Sequence, residues 1–239
     1  MSTPPAQEAP TRLVLIRHGE SRSTVARIVG GHQGCTGLSE RGRQQAEALR
    51  DRLARTGELG EAPVLLTSVL PRAIETAEII APALGGGTAT QHCELCEIHP
   101  GEADGITWEE FEERYLRSRA STSPYSLAAP GSESWAEFFV RVGAALRRSA
   151  DEHAGRTVVI VCHGGVIEGS FVSLGNQPLR RGFDLSIENT SITEWLRPPD
   201  GAGLGFGPVP YAGEVRWRLV RFNDSAHLLL ESGGPGGRQ

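Results

Sequence analysis

No run in this chain of 239 residues approaches the ~18 consecutive apolar residues that a membrane span needs, so none of it is expected to cross a bilayer. Residues 1–11 lack the apolar stretch of a secretion signal, being polar and proline-rich instead. They are expected to be a disordered tail on a cytoplasmic protein. Basic charge is not in excess. The net charge of −5 excludes wholesale nucleic-acid binding and leaves room for a local basic pocket. Cysteine is scarce, and four thiols are too few for a disulfide scaffold at this length. There is no GxxxxGK[ST] phosphate loop, no acidic cluster suited to magnesium beside a glycine-rich loop, and no internal repeat.

Two stretches dominate what is present. In the first, Leu13, Val14, Leu15 and Ile16 run directly into Arg17-His18-Gly19. In the second, Val158, Val159, Ile160, Val161 and Cys162 run into His163-Gly164-Gly165. Uninterrupted apolar runs of this length read as strands buried on both faces. Gly19 is expected to let the backbone turn tightly after the histidine. Two strands ending in His-Gly place two imidazoles at one edge of one sheet. That edge, at the carboxyl ends of the strands, is where open α/β sheets bind ligands.

Between these runs, strands and helices alternate. A glycine-rich loop at 30–37 either wraps a ligand or merely connects. Ser39 is a candidate N-cap for a helix that carries Ala46, Leu49 and Leu53 on one face and ends near Gly57. A strand at 64–66 precedes a helix opened by Pro71. Arg72 falls in that helix's first turn, where a cation opposes the macrodipole unless an anion is bound there. A weaker strand at 88–95 leads to a carboxylate-rich loop at 97–105. Helices are expected over 108–119, 137–153 and 164–174, and strands over 157–162, 191–196 and 215–222. In the last strand Val215, Trp217 and Leu219 share one face and arginines the other, which is expected to be solvated. It should pair antiparallel with the strand before it. The pattern predicts an α/β fold, a three-layer αβα sandwich with a mostly parallel central sheet and an antiparallel edge strand. One domain is expected over 12–231, with a small cap or insert at about 100–135 and a disordered tail at 232–239. The edge strands suit a monomer or a homodimer.

The chemistry follows from two histidines and two arginines meeting at one sheet edge near a loop of carboxylates. Guanidinium forks match phosphate oxygens. An imidazole flanked by guanidinium groups stays neutral and serves as a nucleophile near pH 7. Attack on phosphorus gives a phosphohistidine, and fixed cations stabilise the charge on the transferring group. A nearby carboxylic acid protonates the leaving alcohol and later activates water. No metal is expected to be needed. The segment 92–99 has a CxxC flanked by histidines, His92-Cys93-Glu94-Leu95-Cys96-Glu97-Ile98-His99. No second CxxC or paired-histidine motif supports it as a zinc site, so reduced thiols are expected there.

These residues resemble the histidine phosphatase superfamily, also called phosphoglycerate mutase-like. Leu15-Ile16-Arg17-His18-Gly19-Glu20-Ser21 is similar to its defining motif. The segment 68–77 resembles S-x-L-x-R-A-x-x-T-A, 95–101 resembles its acid loop, and 162–166 its second histidine motif. The resemblance implies that His18 is the phosphorylated nucleophile, that Arg17, Arg72 and His163 grip the phosphoryl group, and that Glu97 is the general acid and base, with Glu94, Glu102 and Asp104 close by. Gly164 matches a backbone donor to phosphate, and Gly30-Gly31 align with a substrate-loop pair. Thr24 stands where the family often has asparagine, and Cys96 where arginine is common. The long basic insert of the mutases is missing, and no lysine lies between residues 105 and 132. The resemblance therefore implies a phosphoric monoester hydrolase without cofactor, acting on a small phosphorylated substrate. Phosphoglycerate mutase-type transfer and a non-catalytic phosphate-ligand-binding protein are the alternatives.

Overall fold

The computed structural model describes residues 9–60, 63–117, 123–180, 182–199 and 217–229. Most of the expected N-terminal tail, the whole C-terminal one, and Val215 and Arg216 of the last expected strand lie outside them. Six strands form one sheet: β1 (Thr11–Arg17), β2 (Val64–Thr67), β3 (Thr90–Gln91), β4 (Thr157–Cys162), β5 (Ile192–Arg197) and β6 (Arg218–Asp224). Their order is β3-β2-β4-β1-β5-β6. The first four are parallel to their neighbours, β5 is antiparallel to β1, and β6 is antiparallel to β5. The fold is the expected mostly parallel α/β arrangement with antiparallel strands at one side.

The apolar run of β1 explains the layering. Leu13 and Leu15 pack with α5 (Trp135–Glu152) and α6 (Gly164–Ser173). Val14 and Ile16 point to the opposite face, against α2 (Glu40–Thr56) and α3 (Pro71–Ile80). All four are fully buried, and each such side chain stabilises the fold by about 1.5–3 kcal/mol. A strand covered on both faces has no polar position to offer, hence the unbroken run. The helices begin and end where their caps dictate. Ser39 accepts from the Gly42 amide, and Gly57 closes α2 in the left-handed conformation at φ 59°. Ser134 and Glu137 form a capping box at the start of α5. No helix among the described residues is long and apolar enough to cross a membrane.

Three expectations need correction. The strand at 88–95 shrinks to Thr90–Gln91, because β2 offers it only Leu66 and Thr67 as partners; a 3₁₀ turn, Cys93–Leu95, follows. The helix at 108–119 is a short α4 (Trp108–Phe111) continued by one turn of π-helix, Glu112–Leu116. The arginine face of β6 is not simply solvated. Arg221 pairs with Glu58, with Glu194 at 2.9 Å and with Asp224 at 3.4 Å. Glu194 is almost fully buried and also receives Arg12 at 2.7 Å. A buried carboxylate in the middle of β5 needs cationic partners. A register shift between Glu194 and Trp195 breaks the alternation, so that Arg221 lies opposite Glu194 while Leu219 lies opposite Trp195 and is partly exposed.

Candidate active site

The register of the sheet builds the site. Arg17, the last residue of β1, lies opposite Cys162, the last residue of β4. The residues that follow, His18 and His163, therefore emerge side by side with ring centroids 5.1 Å apart. The His18 amide donates to the Cys162 carbonyl at 3.0 Å. Both imidazoles are buried.

The hydrogen bonds assign the protons. His18 Nδ1 lies 2.6 Å from the Gly19 carbonyl oxygen. A carbonyl only accepts, so Nδ1 carries the hydrogen and Nε2 keeps its lone pair. Arg72 Nε donates to that lone pair at 3.0 Å, and Arg72 Nη1 donates to the Gly30 carbonyl at 2.7 Å. Ser68 follows β2, and its Oγ accepts the Leu70 amide at 3.1 Å. The same hydroxyl is hydrogen-bonded to His163 Nε2 at 2.7 Å. His163 Nδ1 is buried without a partner among the described residues. Arg17 Nε is buried and unpartnered in the same way, while Arg17 Nη1 donates to the Ile187 carbonyl.

Burial, then Arg72 and Arg17, hold the pKa of His18 well below its ordinary value. His163 is pushed down for the same reasons, with His18 and Arg141 adding to them. Burial lowers the Arg17 pKa, opposed by Glu97 and Glu188. His227 is pushed down to about 4, chiefly by burial. These histidines predict the sign of an acid effect. Below the unfolded pKa of about 6.5, the unfolded chain takes up protons that the native chain refuses. Stability is complete above that pH and falls below it, by up to about 1.4 kcal/mol per pH unit for each such histidine. The thermal midpoint is expected to drop between pH 7 and 5 in differential scanning fluorimetry, and a flat profile would refute neutral burial.

The segment after His18 is pinned by α3. Thr76 Oγ1 accepts the Gly19 amide at 3.1 Å and donates to the Arg72 carbonyl at 2.7 Å. Asn189 Nδ2 donates to the His18 carbonyl at 2.8 Å. Gly19 is not in the left-handed region expected of a tight turn. Its requirement is close approach, since a Cβ there would lie 2.3 Å from the Gly42 carbonyl oxygen. Gly19→Ala is expected to destabilise the fold by about 1–3 kcal/mol, the range for overpacking, as read by urea denaturation.

Glu97 Oε2 accepts the Gly165 amide at 3.0 Å, in the first turn of α6. A Cβ on Gly165 would lie 2.2 Å from Glu97 Oε1, so the paired glycines of this turn make room for the carboxylate. The neighbouring acids are engaged elsewhere. Glu94 pairs with Arg148 at 3.1 Å, Glu102 is exposed in a 3₁₀ turn, and Asp104 accepts the amides of Gly31, Gln33 and Gly34 at 2.8–2.9 Å. Arg141 on α5 was not legible in the sequence. It donates to the carbonyls of Glu94, Cys96 and Glu97 at 2.9, 3.1 and 3.3 Å, and so fixes the loop that carries Glu97.

The structure thus gathers His18, Arg17, Arg72, His163, Glu97, Gly30 and Gly164. Gly164 opens α6, where a Cβ would be 3.8 Å from Arg17 Nε. Gly31 faces Asp104 and Pro100. Thr24 is not brought in. It is exposed in α1 (Arg22–Val25), and its hydroxyl meets Ser21 Oγ at 2.8 Å. Its neighbour Ser23 is buried instead, against Gly30. Of the segment at 92–99, three side chains come together with one from the glycine-rich loop. His32 joins Cys93, Cys96 and His99, with one ligand atom of each within 4.8 Å of the others.

Residues 13–204 match the description "Histidine phosphatase superfamily (branch 1)". The chain is 30% identical over 234 residues to Phosphoglycerate mutase-like protein 4 of Arabidopsis thaliana, covering 95% of this chain and 92% of that protein. It is 33% identical over 222 residues to the Metal-independent phosphoserine phosphatase of the same plant, covering 91% and 83%. Its fold is similar to that of mycobacterial glucosyl-3-phosphoglycerate phosphatase complexed with VO3, with a TM-score of 0.69, 26% identity and coverage of 91% and 99%.

Proposed function

The chain belongs to the histidine phosphatase superfamily, and from that premise we propose that it hydrolyses a small phosphomonoester through a phosphohistidine on His18, with no metal ion at the reacting phosphorus. One observation carries this reading: Arg17 Nε and His163 Nδ1 are buried without partners among the described residues, beside an imidazole whose Nε2 holds a lone pair. With the Ser68 hydroxyl donating to His163 Nε2, both atoms are donors; buried donors left unsatisfied are costly, and these are suited to phosphoryl oxygens.

In the first step His18 Nε2 attacks phosphorus and the ester P–O bond breaks. The Arg72 guanidinium passes from the lone pair to a phosphoryl oxygen. Arg17, Arg72 and the Nδ1–H of His163 hold the oxygens on which charge gathers. Glu97, protonated, gives its hydrogen to the leaving alcohol. In the second step Glu97, now a carboxylate, takes a proton from water as the water attacks phosphorus and the P–N bond breaks. A cleft of about 440 Å³ is lined by Trp135, Phe139, Glu168, Leu179, Arg180 and Phe183. Two of the similar proteins are phosphatases of phosphoserine and of glucosyl-3-phosphoglycerate by name, which supports a small phosphorylated alcohol as the substrate class.

The test is rapid quenching with phosphoryl-labelled phosphoserine, glucosyl-3-phosphoglycerate and p-nitrophenyl phosphate. Base-stable, acid-labile label on the wild-type chain and none on His18→Ala is the expected result. Turnover without labelled protein would overturn the phosphohistidine. Isomerisation of phosphoglycerate without phosphate release would overturn hydrolysis in favour of transfer.

A further inference from the structure

We infer that His32, Cys93, Cys96 and His99 hold one zinc ion, which ties the glycine-rich loop at 30–37 to the loop that carries Glu97. The inference rests on geometry outside the reacting cluster and is independent of the proposed reaction.

The ligand atoms are already arranged for a single ion. Cys93 Sγ lies 3.9 Å from Cys96 Sγ, 3.9 Å from His32 Nε2 and 4.0 Å from His99 Nε2. A zinc tetrahedron with Zn–S of ~2.3 Å and Zn–N of ~2.0 Å has edges of roughly 3.8 Å between sulfurs and roughly 3.6 Å between sulfur and nitrogen. The three spacings from Cys93 exceed these by a few tenths of an ångström, and all four ligand atoms lie within 4.8 Å of one another, so the side chains close in when the ion binds. A Cys93–Cys96 disulfide would instead need its sulfurs at about 2.05 Å, and it would leave both histidines unexplained.

The backbone prepares the arrangement. Cys93 and Cys96 bracket a 3₁₀ turn in which the Cys96 amide donates to the Cys93 carbonyl at 3.0 Å. His32 arrives from a loop whose amides at Gly31, Gln33 and Gly34 all converge on Asp104. The surroundings also suit a metal. His99 turns Nε2 toward Cys93 and has Nδ1 3.6 Å from a Glu133 carboxylate oxygen. That same oxygen accepts the His99 amide at 2.9 Å and Arg141 Nη2 at 2.6 Å. A carboxylate behind the far nitrogen is the usual outer partner of a metal-ligating histidine.

Two sulfurs and two imidazole nitrogens favour zinc over the oxygen-seeking magnesium and calcium. On binding, each cysteine loses its thiol proton to solvent, and the two thiolates balance the ion's charge. Four protein ligands fill the tetrahedron, so the ion has no open position for substrate and acts as a clasp. Cys96 is buried while Cys93 and His32 are exposed, so the ion is loaded from the solvent side. Glu97 follows Cys96 directly, and the clasp therefore bears on the placement of the general acid.

The experiment uses the full chain without a histidine tag, purified under reducing conditions. Wild type is expected to carry one zinc per chain by elemental analysis. Replacement with cobalt(II) should give the absorption of a tetrahedral thiolate site. The exposed ligands allow variants that keep the fold, as checked by circular dichroism. Cys93→Ser and His32→Ala should each weaken zinc binding at least about tenfold, the loss that an outer partner alone brings, and Cys93→Ser should lower the thiolate–cobalt band, since of the two thiolates only Cys96 remains. Zinc bound no more tightly by wild type than by Cys93→Ser would overturn the inference. So would a Cys93–Cys96 disulfide that, once reduced, fails to take up the metal. Label trapping on His18 tests the proposed reaction separately, since no zinc ligand belongs to the phosphate-gripping set.

Discussion

His18→Ala is expected to lower kcat by about 10⁴–10⁶-fold, the loss seen when an activated nucleophile is removed, with no compensating fall in KM. The imidazole keeps its Nε2 lone pair, because its Nδ1 hydrogen is committed to the Gly19 carbonyl, and that lone pair is held by Arg72 until substrate arrives. No neighbouring side chain substitutes for it. His163 has its Nε2 occupied by Ser68. The variant should still fold, since the His18 backbone is held by the Cys162 carbonyl and by Asn189. It should also still bind inorganic phosphate through Arg17, Arg72 and His163, as isothermal titration calorimetry would register. Its thermal midpoint should vary less between pH 7 and 5 than that of wild type, because one reluctant proton acceptor is gone. Retained turnover would remove His18 from the mechanism altogether.

Glu97→Gln is expected to separate substrates by their leaving groups. An alkyl alkoxide needs a proton as it departs, so hydrolysis of an alkyl phosphate such as phosphoserine should fall by about 10²–10⁴-fold. The p-nitrophenolate ion leaves without one, and labelling of His18 by p-nitrophenyl phosphate should slow by less than about tenfold. Glutamine keeps an acceptor for the Gly165 amide, so the comparison isolates the proton. Glu94→Gln removes the surface pair with Arg148 and should leave both rates unchanged. Asp104→Asn loosens the loop at 31–34 and should raise KM for every substrate alike. A Glu97→Gln loss equal for both leaving groups would assign the acid to another residue.

The juxtaposition of His18 and His163 was legible because two apolar runs of similar length end in the same dipeptide, and parallel strands buried on both faces have little freedom of register. The motif at 68–77 was legible as a pattern, and its spacing has a mechanical content that a pattern does not state. Ser68 bonds His163 Nε2, Arg72 meets the His18 lone pair and Thr76 pins Gly19. Arg141 was not legible, because an arginine on an amphipathic helix looks the same whether it meets water or three loop carbonyls. His32 escaped because a contact across the loops leaves no local periodicity. Thr24 misled by one position, since a four-residue helix turns Ser23 inward and Thr24 out. The last strand misled because alternation gives no sign of the register shift that separates the Leu219 and Arg221 pairs.

The pairing of Arg17 with Cys162 has a consequence for how the site is assembled. During synthesis His18 is among the earliest residues made, yet β4, which stands between β1 and β2, comes after most of the chain. Until β4 inserts, Arg17 and Arg72 have no common edge on which to converge, and the imidazole stays in water with an ordinary affinity for protons. The buried pair of imidazoles is thus a late product of folding, gained when the middle of the sheet closes. A growing chain on the ribosome passes through a long interval in which it carries His18 without the cluster that surrounds it.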